Sequence, residues 1–504
     1  MARTALTSVA RTARPPVVSK SKFLNGQQCA KLLWYAFNAK DQIPAPDATT
    51  QAIFDQGHEV GALAKQMFPA GVEINAGVAD FNETIRRTKK ALKLRQPLFE
   101  AAFAANGGYC RVDILAPVLG GAWDLIEVKS TTAAKDVHLP DLAFQTWVLA
   151  MAGLKIRRCC LLHINSDYVR QGDVDPKQFF TLVDLTDQVA NLAQTVEDSI
   201  DDMVTVIQQP QEPDIKIGAH CSDPYPCPLQ DKCWAFLPDQ DVTTLYRGGQ
   251  KAFKLLADEV LAMKDIPDDY KLTENQTIQR EAVLSGEPHV DGQALAAFLS
   301  QLKYPVSYLD FETFSSAIPL FYGVRPYQQI PFQYSLHVVR SAGAKPEHYE
   351  FLAEGRDDPR AEFMRRLQAD LPDAGSVVVY NAAFEKARLS ECCELMPEFK
   401  SWNRKIERRI VDLLLPFRGF RYYHPQQDGS ASMKAVLPVL TGRSYADLEI
   451  QEGGTASMEF LRVTFGEVPE AERQKVRKQL ERYCGQDTEG MIWIVEALER
   501  LCCA

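Results

Sequence analysis

The sequence lacks the long apolar run that a membrane-spanning helix requires. Its best apolar stretch, residues 144–154, is short and contains a glutamine, whereas a spanning helix takes about 18 or more apolar residues. It also lacks a secretion signal, an internal repeat and a low-complexity tract. We therefore expect a soluble, cytoplasmic protein that has no membrane partner.

Basic residues are too few to give the chain a positive balance. Fifty-six Lys and Arg stand against 66 Asp and Glu, so the net charge is -10. This balance argues against a uniformly basic nucleic-acid binder, because phosphate binding needs Lys and Arg. It leaves nucleases open, because a nuclease needs only a local basic channel, and its metal-binding carboxylates add negative charge.

The length and composition indicate a folded protein with more than one domain. Of the 504 residues, 46% are hydrophobic and 24% are charged, which is typical of globular proteins. Residues 1–18 contain three Arg and no acid, and we interpret them as a disordered tail rather than an organelle transit peptide. We predict a first domain over 19–238, a helical linker over 239–300 and a second domain over 301–504.

Each half of the chain has the pattern of an α/β core. In the first half, β-rich runs at 109–118 and 123–132 flank a Gly-Gly turn and predict an antiparallel hairpin. A helix at 141–153 and a strand at 157–164 follow. In the second half we predict strands at 304–313, 331–339 and 377–381 and helices at 360–371, 382–395 and 469–501.

The hairpin of the first half contains residues suited to metal-assisted hydrolysis. Asp113 lies on one strand, and Glu127 and Lys129 alternate along the other, so that their side chains share a face. By itself the Glu-x-Lys pair also fits an ordinary solvent-edge strand. His58 in an upstream helix and Gln145 in the next helix favour a site for a divalent cation and a phosphodiester.

This order of residues resembles the RecB-like branch of the PD-(D/E)xK nucleases. The resemblance implies a restriction-endonuclease-like core in which His58, Asp113 and Glu127 bind the metal. It also implies that Lys129 is the catalytic cation and that Gln145 is a catalytic residue on the substrate side. Tyr168 matches an additional position of the family and is predicted to contact nucleic acid.

Cysteines form a second group. The chain has twelve, and with no secretion signal they predict free thiols or metal ligands rather than disulfides. A polar, Pro-rich segment contains three of them, Cys221, Cys227 and Cys233, and Cys29 lies far upstream. Cysteines in such a polar segment favour a metal site over a packed core. The arrangement is similar to that of iron-sulfur nucleases, which implies a structural [4Fe-4S] cluster on these four residues. Zinc remains the alternative.

The second half contains a second acidic pattern. Asp310 and Glu312 lie on one face of a strand, and two such carboxylates repel unless a cation or solvent screens them. The segment around Glu385 and a Tyr-x-x-x-Asp motif near the C-terminus add to this pattern. Together these motifs resemble those of the DEDD exonucleases, which have an RNase H-like fold. The resemblance implies metal ligands and a water-orienting tyrosine at these positions: Asp310, Glu312, Glu385, Asp487 and Tyr483.

One position departs from that pattern. Glu385 stands where the family has aspartate, so that a degenerate site that only holds nucleic acid remains an alternative. Asp412 is a further acid, with a substrate or structural role. Tyr422, Tyr423 and Lys434 are candidates for gripping a single strand, and a plain packed loop is the other interpretation.

The order of the motifs of both halves along the chain resembles that of an uncharacterised bacterial family, which joins a RecB-like nuclease domain to a DEDD-type exonuclease domain. It implies a Mg²⁺- or Mn²⁺-dependent deoxyribonuclease, an exonuclease on single-stranded ends, in DNA repair or antiviral defence. DNA is preferred to RNA through the resemblance of the first half alone. The alternative is a non-catalytic nucleic-acid-binding or redox-sensing scaffold in which one or both sites are degenerate.

Overall fold

A computed structural model describes residues 16–74 and 80–503 of the chain. Residues 1–15, most of the predicted tail, lie outside the described residues, whereas Val18 pairs with Gly108 in a sheet. The described chain forms two compact units. Unit 1 consists mainly of 54–168 and 174–234 with the N-terminal segment, and unit 2 of 46–53, 169–173 and 235 onward. No helix within 16–74 and 80–503 is long and apolar enough to cross a membrane.

The secondary structure is mixed α/β, as the sequence predicts. The strands are β1 Val18–Ser19, β2 Val72–Glu73, β3 Leu98–Ala105, β4 Gly108–Pro117, β5 Trp123–Lys129, β6 Ile156–Ile164, β7 Phe180–Asp184, β8 His289–Val290, β9 Val306–Phe314, β10 Ile330–Val339, β11 Glu347–Leu352, β12 Ser376–Val379, β13 Ile410–Asp412 and β14 Tyr422–Tyr423. The helices are α1 Lys20–Gln28, α2 Ala30–Asn38, α3 Ala48–Lys65, α4 Phe81–Ala91, α5 Leu139–Met151, α6 Pro176–Phe179, α7 Thr186–Ala193, α8 Val196–Ile207, α9 Gln230–Trp234, α10 Gln250–Ala257, α11 Glu274–Ser285, α12 Gly292–Leu299, α13 Arg360–Asp370, α14 Ala382–Leu395, α15 Lys400–Glu407, α16 Leu415–Arg418, α17 Met433–Thr441, α18 Gly453–Phe465 and α19 Glu470–Cys503.

Unit 1 is built on a sheet of order β2-β3-β4-β5-β6-β7, with β1 beside β4. The predicted hairpin is present, because β4 and β5 pair in antiparallel fashion. Gly120 and Gly121 between them adopt φ of 77° and 81°, a left-handed conformation that glycine adopts without steric cost. β6 is parallel to β5, and the intervening α5 packs against β3, β4 and β6. This crossover holds the helix against the hairpin.

The helix α5 brings polar side chains to the sheet. It begins beside Pro140, a residue that suits the first turn of a helix because its nitrogen needs no acceptor. Most of its residues are buried and apolar, but Asp141 and Gln145 are buried as well. They are four residues apart and therefore lie on one face of the helix.

Unit 2 is built on a sheet of order β11-β10-β9-β12-β13. β9, β10 and β11 are antiparallel neighbours, whereas β12 and β13 run parallel to β9. All ten residues of β10 are buried, in keeping with a strand covered on both faces. α19 packs across β9 and β10 on one face, and α13 packs against β10. A main core of unit 2 lies between this sheet and α17, α18 and α19.

Residues 239–300, predicted to be a helical linker, are packed into unit 2. Leu295 and Phe298 of α12 belong to its main core. β8 pairs with β14, and Val242, Leu255 and neighbouring residues form a small core of their own. The segment therefore contributes structure to the second unit and does not merely connect the two.

Candidate functional site

Three carboxylates converge in unit 2. Asp310 and Glu312 are alternate residues of β9 and lie on one face of it, and Asp487 comes from α19, which crosses that face. One ligand oxygen of each lies within 4.8 Å of the others. Within 16–74 and 80–503, this is the group of three or more His, Cys, Asp or Glu residues that meets that spacing.

The electrostatics of this triad favour protonation or a bound cation. Burial, followed by the charges of neighbouring acids, raises the pKa of Asp310 well above its usual range. The same causes raise the pKa of Glu312 to about 8. Burial raises the pKa of Asp487 to about 7, although Tyr445 and Lys434 counteract it. Because like charges repel strongly where solvent is excluded, the three carboxylates can all ionise together only if a cation compensates them.

Two tyrosines and a lysine surround the triad. The predicted Tyr483 is buried, and the charges of Asp487, Glu312 and Asp310 add to burial in raising its pKa, which places its ring beside them. Tyr445, which the sequence did not reveal, donates a hydrogen bond of 2.6 Å to Oδ1 of Asp487. Lys434 holds its Nζ 5.7 Å from the centre of the Tyr483 ring. The predicted Lys434 is thus the nearby cation of this site.

Glu385 lies close to the triad but outside it. Its side chain is buried, and its Oε2 has no hydrogen-bond partner within the described chain. Burial raises its pKa to about 8, and its charge helps to raise the pKa of Asp310. A buried carboxylate oxygen without a partner is costly unless it is protonated or binds a cation.

Asp412 has a structural role. Its carboxylate accepts hydrogen bonds from the backbone N–H groups of Asn381, Ala382 and Leu414, at 3.1, 3.1 and 3.0 Å. It therefore caps the start of α14, the helix that carries Glu385. Of the two roles that the sequence left open for Asp412, the geometry gives the structural one.

The predicted hairpin site of unit 1 forms a closed ion network. Glu127 is buried and accepts hydrogen bonds from Lys129 at 2.7 Å, from Lys20 at 2.8 Å and from Nε2 of Gln145 at 2.7 Å. Burial raises the pKa of Glu127, but the two ammonium groups outweigh it and hold the pKa below its usual range. Glu127 is therefore an ionised carboxylate that is already compensated.

Asp141 completes this network. It accepts hydrogen bonds from Lys129 at 2.7 Å and from Gln145 at 2.8 Å. Asp141 and Lys20 were not predicted from the sequence. Asp141 could have been found, since it lies one helical turn before Gln145. Lys20 carries no local signal, because its partner Glu127 lies 107 positions further along the chain.

Asp113 lies beside this network and His58 does not join it. Asp113 accepts a hydrogen bond of 2.8 Å from the backbone N–H of Val128, and burial with the charge of Glu127 raises its pKa to about 7. His58 is an exposed residue of α3. Among the residues described, His58, Asp113 and Glu127 do not form a group with ligand atoms within 4.8 Å of one another. The structure thus brings together Asp113, Glu127, Lys129 and Gln145 and leaves His58 apart.

The four predicted cluster cysteines line one cavity of unit 1. Cys29 lies at the break between α1 and α2, and Cys221, Cys227 and Cys233 come from the segment around α9. The cavity also contains Lys31 and His220. Within the described chain, no three of the sulfurs lie within 4.8 Å of one another. The topology therefore joins Cys29 to the distant three around a shared space.

The tyrosines proposed to stack on nucleic acid are buried. Tyr168 packs edge-on against Phe179. Tyr423 stacks on Phe420 with a centroid distance of 4.4 Å, and Tyr422 is 3% exposed. The packed-loop interpretation is therefore correct for Tyr422 and Tyr423, and none of the three rings has a free face for a base.

The chain is similar to a family described as having unknown function and to two proteins described as uncharacterized. A family model described as Domain of unknown function (DUF2779) matches residues 307–432. The "Uncharacterized protein MG366 homolog" of Mycoplasma pneumoniae is 28% identical over 222 residues, 40% of this chain and 33% of that protein. The "Uncharacterized protein MG366" of Mycoplasma genitalium is 28% identical over 221 residues, with the same two shares. The chain spans about a third of the length of these curated relatives. The family match thus begins within β9 and includes Asp310, Glu312 and Glu385.

Proposed function

We propose that unit 2 is a divalent-cation-dependent phosphodiester hydrolase that acts as an exonuclease on single-stranded ends. The observation that carries the proposal is the triad of half-buried Asp310 with buried Glu312 and Asp487, whose ligand oxygens lie within 4.8 Å of one another. Carboxylate oxygens at this spacing are the ligands that Mg²⁺ and Mn²⁺ prefer. The unpartnered Oε2 of Glu385 fits a fourth ligand of the same site.

The side chains around the triad suit hydrolysis of a phosphodiester. A bound divalent cation supplies a water of lowered pKa and neutralises charge on the phosphate. Tyr483 lies beside the carboxylates and can hold the attacking water by its hydroxyl. Tyr445 fixes the rotamer of Asp487 through its hydrogen bond. The ammonium of Lys434 can contact the developing negative charge.

The arrangement of β9 to β13 supports the resemblance to an RNase H-like fold. In the RNase H-like fold, acids lie on one face of the central strand, and a C-terminal helix that packs on that face carries the last acid. β9 and α19 are arranged in this way here. Glu385 lies in the first turn of α14, whose start is capped by Asp412. These features favour an active site over the degenerate alternative.

For unit 1 we propose a PD-(D/E)xK core with an iron-sulfur cluster as a structural staple. The hairpin, α5 and the parallel β6 support the core, and Asp113, Glu127, Lys129 and Gln145 meet on it. The charge of Glu127 is already matched by Lys20 and Lys129, so this site has less need of a cation than the triad. DNA as substrate, and repair or defence as setting, rest on the sequence resemblance.

The sulfur spacing suits a cluster better than one zinc ion. Zn–S bonds of about 2.3 Å in a tetrahedron place the sulfurs about 3.8 Å apart. No three described cysteine sulfurs lie within 4.8 Å of one another, and a multi-iron cluster takes thiolates around a larger body. Lys31 lines the same cavity and offers a positive charge to an anionic cluster.

The test is cleavage of 5′-labelled single-stranded DNA with Mn²⁺ by the whole protein and by Asp310→Asn. We expect the wild type to shorten the strand. Asp310→Asn should cleave about 100-fold or more slowly, because it removes a proposed ligand of the catalytic cation. A 100-fold loss corresponds to about 2.8 kcal/mol of transition-state stabilisation. Asp373→Asn, an exposed acid of the same unit, is the matched control and should cleave as the wild type does.

Lys129→Ala separates the two units in the same assay. If Lys129→Ala alone abolishes cleavage, the activity belongs to unit 1 and the proposal for unit 2 is wrong. If the wild type, Asp310→Asn and Lys129→Ala all leave the DNA equally intact with Mn²⁺, the interpretation of the protein as a non-catalytic scaffold is correct.

A further inference from the structure

A cavity of unit 2 has a lining unlike that of the carboxylate site. It has a volume of about 410 Å³, which lies in the range of pockets that hold small ligands. None of its described lining residues is acidic, although the protein as a whole carries a net charge of -10. The lining is Tyr246, Arg247, Tyr380, Asn381, Leu414, Arg418, Ala431, Ser432 and Met433.

The two arginines of the cavity are uncompensated. Arg247 and Arg418 are exposed, and neither guanidinium forms an ion pair with a carboxylate in the described chain. Tyr246 links them, because its ring lies 5.3 Å from the Arg247 guanidinium and its hydroxyl donates to the carbonyl of Arg418 at 3.3 Å. Planar guanidinium groups can bind phosphate oxygens in bidentate fashion.

Other polar residues of the lining are held in place by hydrogen bonds. Tyr380 donates a hydrogen bond of 2.8 Å to the carbonyl of Ala431. Asn381 has φ 94°, a conformation that costs free energy in a residue other than glycine. Its backbone N–H donates to Asp412, and the residue lines the cavity. Ser432 caps α17, whose first N–H groups have no acceptor within the helix and favour an anion.

Two elements connect this cavity to the carboxylate site. Asn381 is the cap of α14, and Glu385 follows four residues later, about 6 Å along the helix axis. Ser432 and Met433 line the cavity at the start of α17, and the next residue, Lys434, faces Tyr483. A strand whose end lies at the triad can therefore extend its preceding nucleotides into the cavity.

We propose that this cavity is a subsite for the phosphates of a single nucleic-acid strand, held by Arg247 and Arg418. The proposal deepens the proposed function and rests on it, since it names the class of substrate that reaches Asp310 and Glu312. The exposed face of the Arg247 side chain, stacked with Tyr246, also offers a sequence-tolerant platform for a base.

The test measures binding without cleavage. Anisotropy of a fluorescein-labelled single strand of about 12 nucleotides is recorded in EDTA with the whole protein, with Arg247→Ala, with Arg418→Ala and with the double variant. We expect each single variant to bind about tenfold more weakly, because each loses a charge-assisted contact. The slope of log K against log salt should fall by about 0.7 per lost phosphate contact.

Controls separate this proposal from that of hydrolysis. Arg340→Ala removes an exposed arginine that is paired with Glu347 and should bind as the wild type does. Arg247→Lys keeps the charge without the planar fork and should give an intermediate affinity. An RNA of the same sequence distinguishes the two sugars, and binding of either strand through the two arginines supports the subsite.

Two outcomes overturn the subsite. One is a wild type that fails to bind either strand, and the other is a folded double variant that binds with the affinity and salt slope of the wild type. Strand binding that depends on both arginines, together with no Mn²⁺-dependent cleavage, supports the subsite and contradicts the hydrolase. Cleavage by the wild type with unchanged binding by the double variant supports the hydrolase and contradicts the subsite.

Discussion

At the scale of single residues, the acids of unit 2 make its stability depend on pH. Glu312 and Glu385 have pKa values raised to about 8, and Asp487 to about 7, mainly through burial. In the unfolded chain these groups ionise near their ordinary values of about 4. Between about pH 4 and pH 8 the folded state therefore binds more protons than the unfolded state, and the free energy of unfolding decreases as pH rises through this range.

We predict that the protein in EDTA unfolds at a lower temperature at pH 8.0 than at pH 6.5. At pH 6.5, the ordinary pKa of histidine, His337 is half protonated only in the unfolded chain, because burial lowers its folded pKa to about 4. It therefore opposes the trend by only about 0.4 kcal/mol between pH 6.5 and 8.0. Addition of Mn²⁺ at pH 8.0 should restore the unfolding temperature, because a bound cation stabilises the folded state. Differential scanning calorimetry measures this.

Glu312→Gln is the informative variant for that prediction. It removes one carboxyl whose pKa is raised while keeping the shape of the side chain. The difference in unfolding temperature between pH 6.5 and pH 8.0 should therefore be smaller in Glu312→Gln than in the wild type. An equal pH dependence in the wild type and in Glu312→Gln, with no response to Mn²⁺, would contradict the assignment of these acids to a cation site.

Sequence patterns located some residues of the sites and missed others for a physical reason. Asp310 and Glu312 were found because they alternate along one strand, and Asp487 through its spacing from Tyr483. Tyr445 and Lys20 were missed because their contacts form only when distant segments fold together. Tyr422 and Tyr423 were predicted from residue type, which does not indicate whether an aromatic ring is buried or exposed.

At the scale of elements, long regular stretches were the best predicted. The hairpin of β4 and β5, the strand β9 and the helix α14 match the patterns that predicted them, within a few residues at their ends. The chain from Lys20 to Asn38 forms two helices rather than one continuous helix, because Cys29 between them adopts an extended φ of -158° and ψ of 124°. Hydrophobic periodicity carries across such a break and does not indicate it.

The capping of α14 by Asp412 gives a testable consequence for this element. We predict that Asp412→Ala lowers the free energy of unfolding by about 1–3 kcal/mol, because three backbone N–H groups lose their acceptor. Asp412→Asn keeps one carbonyl acceptor and should lose less. Urea denaturation measures both, with Asp373→Ala as the exposed control.

If Asp412→Ala were as stable as the wild type, the cap would be of no energetic importance and a substrate role for Asp412 would return. Cleavage should also weaken in Asp412→Ala, since the turn that it fixes orients α14 and hence Glu385.

At the scale of the molecule, the cysteine cavity joins the ends of the first unit in sequence. Cys29 and Cys233 are about 200 residues apart and line the same space, so that a cluster there would close a long loop. We predict that protein purified anaerobically is brown with broad visible absorption, and that Cys29→Ser loses the colour and most of the bound iron. Metal analysis and absorption spectroscopy measure this.

Cys502→Ser is the matched control, because Cys502 lies in α19 of unit 2 and does not line the cavity. It should keep the colour of the wild type. A colourless wild type that contains zinc would contradict the iron cluster and leave the four cysteines as a zinc site.

Unit 2 includes residues 169–173, although the chain on either side of them belongs to unit 1. Within this segment Arg170 donates hydrogen bonds to the carbonyls of Pro319 and Leu320, at 2.7 and 2.9 Å. The backbone of Arg170 also pairs with Gly323 and Val324. A fragment that starts at 235 would leave those carbonyls without their donor. Testing the two proposed functions separately therefore calls for point substitutions in the intact chain, because unit 2 is formed from three segments and no single backbone cut separates it from unit 1.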